Sequence, residues 1–263
     1  MKLALALAAL AGLVAAPLSN DDAASMLEKA ESKAAAGKYK DAQRLYRKLA
    51  KEHAGTPEGE VGERRGRSSA FLGWADIVRH GDSNNRVDVV VMGEGYQIDE
   101  LKAFDKLAED LPDYFRRNRA LGEYYPYFNF LRADLVSADN GVDGFGREYD
   151  TALGGHVIGT YAGHVAVNRS EVREMLGEVP GHDGQAIVFA KLGVLGTGGG
   201  GVATIGGRNM RTAIHEFGHS FGRLSDEYST ETHKRGPVKA NVNVTDTEDP
   251  EEAPWKHWSD ANV

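Results

Sequence analysis

Apolar positions recur along this chain with two periods, and each change of period marks an element. From Asp21 to about Ala54, Met26, Leu27 and Ala30 line one face of a first helix. Gly37-Lys38-Tyr39 breaks the pattern, and Ala42, Leu45, Tyr46 and Leu49 line a second helix. Residues 58–86 open with Gly59, Gly62, Gly66, Ser68 and Ser69, predicting a linker with a short apolar patch at Phe71-Leu72-Gly73-Trp74. Val87-Asp88-Val89-Val90-Val91-Met92 reads as a buried strand. Leu101, Phe104, Leu107, Leu111 and Phe115 predict a helix over about 100–119, kinked or divided at Pro112. Residues 128–136 read as a second strand, 169–176 as helical and 186–190 as a third strand. The run Gly196–Gly201 predicts a flexible turn into an edge strand at Val202–Ile205. Met210, Ile214, Phe217 and Phe221 then follow helical spacing as a buried stripe. The order predicts an α/β class domain (α+β, with a mixed sheet and a helix carrying the chemistry) after a small helical hairpin.

Composition narrows the class. A hydrophobic share of 41% beside 27% charged residues fits a globular chain rather than a disordered one. The formal charge of -8, without a Lys/Arg stripe, argues against nucleic acid as a partner. Lys2, the apolar run Leu3 to Ala16, and Pro17 after it predict a secretory signal over residues 1–18. That run is shorter than a membrane span, so the expectation is an exported chain (secreted, periplasmic or at the cell surface) with no span after processing. Cysteine is absent, so a metal site has to use His, Asp and Glu.

The chemistry concentrates in His215-Glu216-Phe217-Gly218-His219. H-E-x-x-H on a helix puts two imidazoles four residues apart on one face, where both can bind one zinc ion, with the glutamate between them as general base. Gly222 extends the pattern and is a natural helix stop. The other histidines (His53, His80, His182, His233, His257) have no ligand spacing, and His156 and His164 sit eight apart in a Gly/Ala/Val-rich stretch. Asp139, Asn140 and Asp143 miss the spacing of a calcium loop and read as a turn. The glycine run lacks the Lys of a phosphate loop; it reads as a flexible turn, or as a strand approach able to hold a substrate backbone.

The stretch His215-Glu216-Phe217-Gly218-His219-Ser220-Phe221-Gly222-x-Leu224-x-Asp226-Glu227-Tyr228 resembles the IgA-peptidase (igalysin) family of zinc metallopeptidases. Met92-Gly93-Glu94-Gly95-Tyr96, Tyr127-Phe128-Asn129, Ser137–Asp143, Asp150–Gly154, the glycine run and Pro254-Trp255-Lys256-x-Trp258 agree with that family in order. The resemblance covers roughly residues 85–263. It implies a zincin-like catalytic domain over that span, one catalytic Zn2+ and hydrolysis of a protein or peptide substrate. It also implies His215 and His219 as ligands and Glu216 as base. Related peptidases place the third ligand ten residues after the first histidine, where this chain has Ser225, a poor ligand. Asp226 is the favoured replacement, ahead of Glu227 and of a carboxylate beyond the chain. Tyr228 is a candidate oxyanion donor, although a packed tyrosine is the plainer reading. The family pattern runs on past Lys256, which implies a catalytic domain truncated at its C-terminus.

Gly37-x-Tyr39-x-x-Ala42-x-x-x-Tyr46, with Pro57 after it, resembles one tetratricopeptide-type hairpin over residues 21–75 with its linker. A single unit of that kind cannot bury its face alone. It has to pack on the next domain, on a protein partner or on a copy of itself. The competing functional class is a non-catalytic export-pathway or surface binding protein with a structural metal site.

Overall fold

The computed structural model describes residues 20–159, 163–227 and 241–259. The expected signal segment, Tyr228 and His233 lie outside them. Two helices, α1 (Asn20–Ala35) and α2 (Tyr39–Glu52), form the hairpin at the expected break. Among the described residues, no helix is long and apolar enough to cross a membrane.

The stretch expected as a linker is instead a helix and a strand: α3 (Pro57–Arg65) and β1 (Ala70–Val78). Its glycines serve close packing. A Cβ at Gly62 would lie 2.7 Å from both the Tyr46 carbonyl oxygen and the Ala50 nitrogen. Thr56 caps α3 by accepting from the Gly59 nitrogen, and Pro57 occupies the first turn, where its missing N–H costs nothing.

Apolar-rich stretches become the middle of one mixed sheet, as strands covered on both faces should. Added to β1 are β2 (Val87–Glu94), β3 (Phe128–Val136), β6 (Gln185–Ala190), β7 (Thr197–Gly199) and β8 (Val202–Gly206). Their order across the six-stranded sheet is β1-β3-β2-β6-β8-β7. The four inner strands run parallel, and β1 and β7 close the two edges antiparallel. A separate ribbon pairs β4 (His156–Ile158) with β5 (His164–Ala166). The edge strand expected at 202–205 is therefore an inner strand, and the glycine run itself provides the edge. Thr197 to Gly199 lie against β8 because a tight turn at Gly200-Gly201, both at positive φ, folds the run back.

Each face of the sheet has its own core. On one side α5 (Arg169–Gly177) sets Val172 and Leu176 against Val90, Met92, Ala186 and Val188. On the other, α4 (Leu101–Arg117) and α6 (Met210–Ser220) pack Phe104, Phe115 and Phe217 against Phe128, Phe130 and Phe189. α4 runs through Pro112 undivided. The hairpin belongs to this second core through Ala30, Ala34, Tyr39, Ala42 and Tyr46, so it buries its face on the sheet and α4. Buried polar bonds fix its register. Tyr46 donates to the Leu72 carbonyl at 2.7 Å. Tyr39 donates to Asp105 at 2.7 Å and lies 3.1 Å from Asp134, whose second contact is Arg132 at 2.6 Å. Burial raises the Tyr39 phenol above its ordinary range and lifts the Asp134 carboxyl to about 6, against the opposing pull of Arg132.

Candidate metal centre

Packing sets the rotation of α6. Asn209 caps it, accepting from the Arg211 and Thr212 nitrogens at 3.0 and 3.3 Å. Met210, Ala213 and Phe217 are buried, and the Phe217 ring meets Phe115 edge-on at 5.0 Å. With that face inward, His215 and His219 project together from another, their ring centroids 4.7 Å apart. The expected stripe is incomplete. Phe221 is 41% exposed, because the helix has ended at Ser220 and Phe221 only stacks back on Phe217.

The chain then reverses. Gly222 lies so close to the helix that a Cβ there would stand 2.8 Å from the Gly218 carbonyl oxygen. Arg223, not the glycine, takes the left-handed conformation, at φ 55°. The Leu224 nitrogen donates to the Gly218 carbonyl at 3.1 Å, and His219 Nδ1 donates to the Leu224 carbonyl at 2.6 Å. That second bond places the imidazole proton on Nδ1 and leaves the Nε2 lone pair outward.

Asp226 is thereby returned to the histidines. Its Oδ1 lies 3.2 Å from His215 Nε2 and 3.2 Å from His219 Nε2, and the two Nε2 atoms are 3.2 Å apart. Three acceptor atoms this close repel one another unless protons or a cation stand between them. A tetrahedral ion roughly 2.05 Å from each ligand would separate them by about 3.3 Å (twice the bond length times the sine of half the tetrahedral angle). The triangle matches one face of a zinc tetrahedron, and the imidazole and carboxylate donors suit that metal. Among the described residues this is the one group of three or more His, Asp or Glu side chains so convergent. Glu227 turns elsewhere, accepting from Asn243 Nδ2 at 3.0 Å. Ser225, at the ten-residue position, is held through its backbone by the same asparagine.

Glu216 sits beside the triangle and is 7% exposed. Burial pushes its carboxyl up to about 7; His219 pulls it down and Asp226 adds to the rise. The wall that buries it is the glycine strand. A Cβ at Gly196 would meet Glu216 Cγ at 2.8 Å, and one at Gly198 would meet the Glu216 carbonyl oxygen at 2.3 Å and His219 Cβ at 2.8 Å. The run lacks side chains where β7 lies directly on α6. Flexibility is not its main use.

Other motifs meet away from this centre. Glu94, fully buried, accepts from Thr151 Oγ1 at 2.6 Å and from the Leu153 and Gly155 nitrogens at 3.0 and 2.5 Å. The Met92–Tyr96 and Asp150–Gly154 segments therefore meet at one carboxylate, whose pKa burial raises despite those donors. Asp139 and Asp143 accept from the Asp150 and Tyr149 nitrogens, which makes the 137–150 segment the expected turn. His156 and His164 lie on β4 and β5, and His80 bonds the Phe128 carbonyl. Asn241 and Asn243 passed unnoticed in the sequence, since only their distance from Ser225 in space, not along the chain, gives them a role.

A family model described as IgA Peptidase M64 matches residues 75–263. Comparison with curated proteins gives no match. The matched span takes in α6, the returning loop and all of the sheet except the start of β1, while the helical hairpin lies before it. On that match over most of its length, the chain belongs to the IgA Peptidase M64 family, a family of peptidases.

Proposed function

We propose that this protein is a zinc metallopeptidase in which His215, His219 and Asp226 hold one Zn2+ and Glu216 is the general base. The observation that carries the reading is the 3.2 Å triangle of Nε2, Nε2 and Oδ1. Zinc, when bound, supplies Lewis-acid polarisation of a carbonyl and brings the ionisation of water close to neutrality. The protein's own groups supply the rest. The His219 bond to Leu224 holds the ring with Nε2 turned to the metal position. Glu216, buried beside the metal position, accepts a proton from the attacking water and returns it to the leaving amine. Among the described residues β7 is the end strand of the six-stranded sheet, and addition of an extended peptide beside it is the binding mode proposed. The substrate class is protein or peptide; the family's name does not extend to immunoglobulin as the substrate of this chain.

The competing reading, a binding protein with a structural metal, fits less well. Structural zinc sites are closed by four protein ligands, whereas three converge here among the described residues, with a buried carboxylate alongside. Glu216→Gln decides between them. The parent should carry about one zinc per chain and hydrolyse a protein substrate; the variant should keep the zinc and lose hydrolysis. Parental turnover in Glu216→Gln would remove the assigned base, and a parent without zinc after reconstitution would remove the site.

A further inference from the structure

The returning loop poses a problem of choice. Asp226 and Glu227 are adjacent, both exposed and both carboxylates, and glutamate has the longer reach. Neither burial nor a regular element separates them. We infer that Asn243, assisted by Asn241, is a positioning residue that selects the third ligand, keeping Asp226 at the imidazoles and Glu227 away from them. The inference rests on the metallopeptidase reading above.

Two asparagines account for this loop nearly residue by residue. Asn241 Nδ2 donates to the Arg223 carbonyl and to Ser225 Oγ, both at 2.7 Å. Asn243 Oδ1 accepts from the Ser225 nitrogen at 2.8 Å, and its Nδ2 donates to the Ser225 carbonyl at 2.8 Å and to Glu227 Oε1 at 3.0 Å. The amide orientation of Asn243 follows from the partners: the Ser225 N–H needs an acceptor and the Ser225 carbonyl needs a donor. Ser225 and Glu227 are thus both drawn to the asparagine side. Asp226, between them, faces the other way, toward His215 and His219, as alternate side chains of an extended segment do.

This clamp gives a physical reason for the one-residue shift in ligand position. Ser225, ten residues after His215, has its N–H, its carbonyl and its hydroxyl all engaged by Asn241 and Asn243. The segment is pinned with the ten-residue position turned away, and the next residue presents its carboxylate. Asn243 also uses both of its N–H donors, which an aspartate of the same shape does not have.

The test compares the parent with Asn243→Ala, Asn243→Asp and Glu227→Ala in the full chain. The measurements are zinc affinity by chelator competition, the visible spectrum after replacing zinc with cobalt(II), and thermal melts of the metal-free proteins. Groups that orient metal ligands typically contribute about 10–100-fold in affinity, and that loss is expected in Asn243→Ala and Asn243→Asp. The cobalt spectrum of both should change, the metal-free melts should stay close to the parent, and Glu227→Ala should bind as the parent does. If Asn243→Ala fails to fold, the isosteric Asn243→Asp decides alone. Parental affinity and spectrum in Asn243→Asp would overturn the inference while leaving the metal site standing; a parent that binds neither zinc nor cobalt would defeat the metallopeptidase reading itself.

Discussion

Gly198→Ala adds one methyl group at the seam between the edge strand and the metal helix. The new carbon would start 2.3 Å from the Glu216 carbonyl oxygen, 3.0 Å from the Glu216 carbonyl carbon and 2.8 Å from His219 Cβ. A carbon and a carbonyl oxygen settle at about 3.3 Å or more, so the seam has to open by about 1 Å. Two of the three obstructing atoms are backbone of α6 and the third is a Cβ, so no rotamer change relieves them. Overpacking of this kind costs about 1–3 kcal/mol. For a chain of this size each kcal/mol moves the melting temperature by roughly 2–4 °C, so a fall of about 2–12 °C is expected. Displacing β7 also moves the wall behind Glu216, and a misplacement of about 1 Å near the chemistry can cost on the order of 100-fold in kcat/KM.

Gly193→Ala is the internal control. It lies in the same approach to β7, its φ is not positive, and a Cβ there meets nothing within 4 Å. Thermal melts and peptide hydrolysis of both variants, side by side, make the assay. If Gly198→Ala melts and turns over like Gly193→Ala, the glycine run is a loosely placed loop and not the lining of the helix.

Three further outcomes are expected. Asp134 has a folded-state pKa raised to about 6, so the folded protein holds a proton there that the unfolded chain has released; the stability this contributes is fully present below about pH 4 and is lost as pH rises through 6. Asp134→Asn should remove about 2 kcal/mol of that decline, read as the difference between parent and variant melts at pH 4.5 and 7.5; parallel curves would disprove it. Glu94→Gln turns an N–H toward a cage of donors, so a loss of about 1–3 kcal/mol in urea unfolding is expected, and an unchanged midpoint would show the cage to be dispensable. Zinc at about 1,000 times its dissociation constant should stabilise the folded chain by about 4 kcal/mol, and EDTA should reverse the rise in melting temperature, with no such response in His215→Ala.

Much of the framework was legible because inner strands and amphipathic helices state themselves in apolar residues. β2, β3 and β6 are rich in apolar residues (Val89 to Met92, Phe130-Leu131, Ala186 to Ala190), and α4 repeats its apolar residues at helical spacing. The elements that escaped are those whose residues were chosen for closeness. Gly59 and Gly62 in α3, and Gly196 and Gly198 at the sheet edge, carry no hydrophobic signal, because each makes room for a neighbouring backbone or for Glu216. At the centre, the histidine pair and Glu216 follow from helical spacing alone. The convergence of Asp226 does not, since it depends on asparagines sixteen and eighteen residues beyond Ser225 in sequence, joined to it by hydrogen bonds that leave no pattern.

The two edges of the sheet carry different risks in a crowded solution. β1 is covered by the hairpin, with Gly73 set close enough to Ala34 that a Cβ would be 3.0 Å from its methyl. β7 ends the sheet among the described residues, with β5 against its start, where Thr197 Oγ1 donates to the Val165 carbonyl at 2.9 Å; a strand edge is a template for any extended chain, including one from another copy of the same protein. Here the end strand is three residues long, two of them glycine, with Gly199 at positive φ. Such an edge offers a few backbone bonds and almost no side-chain surface, so two copies gain little by pairing edge to edge. A chain can be held there only if something beyond the edge adds to its affinity, so this end of the sheet is a poor template for polymerisation.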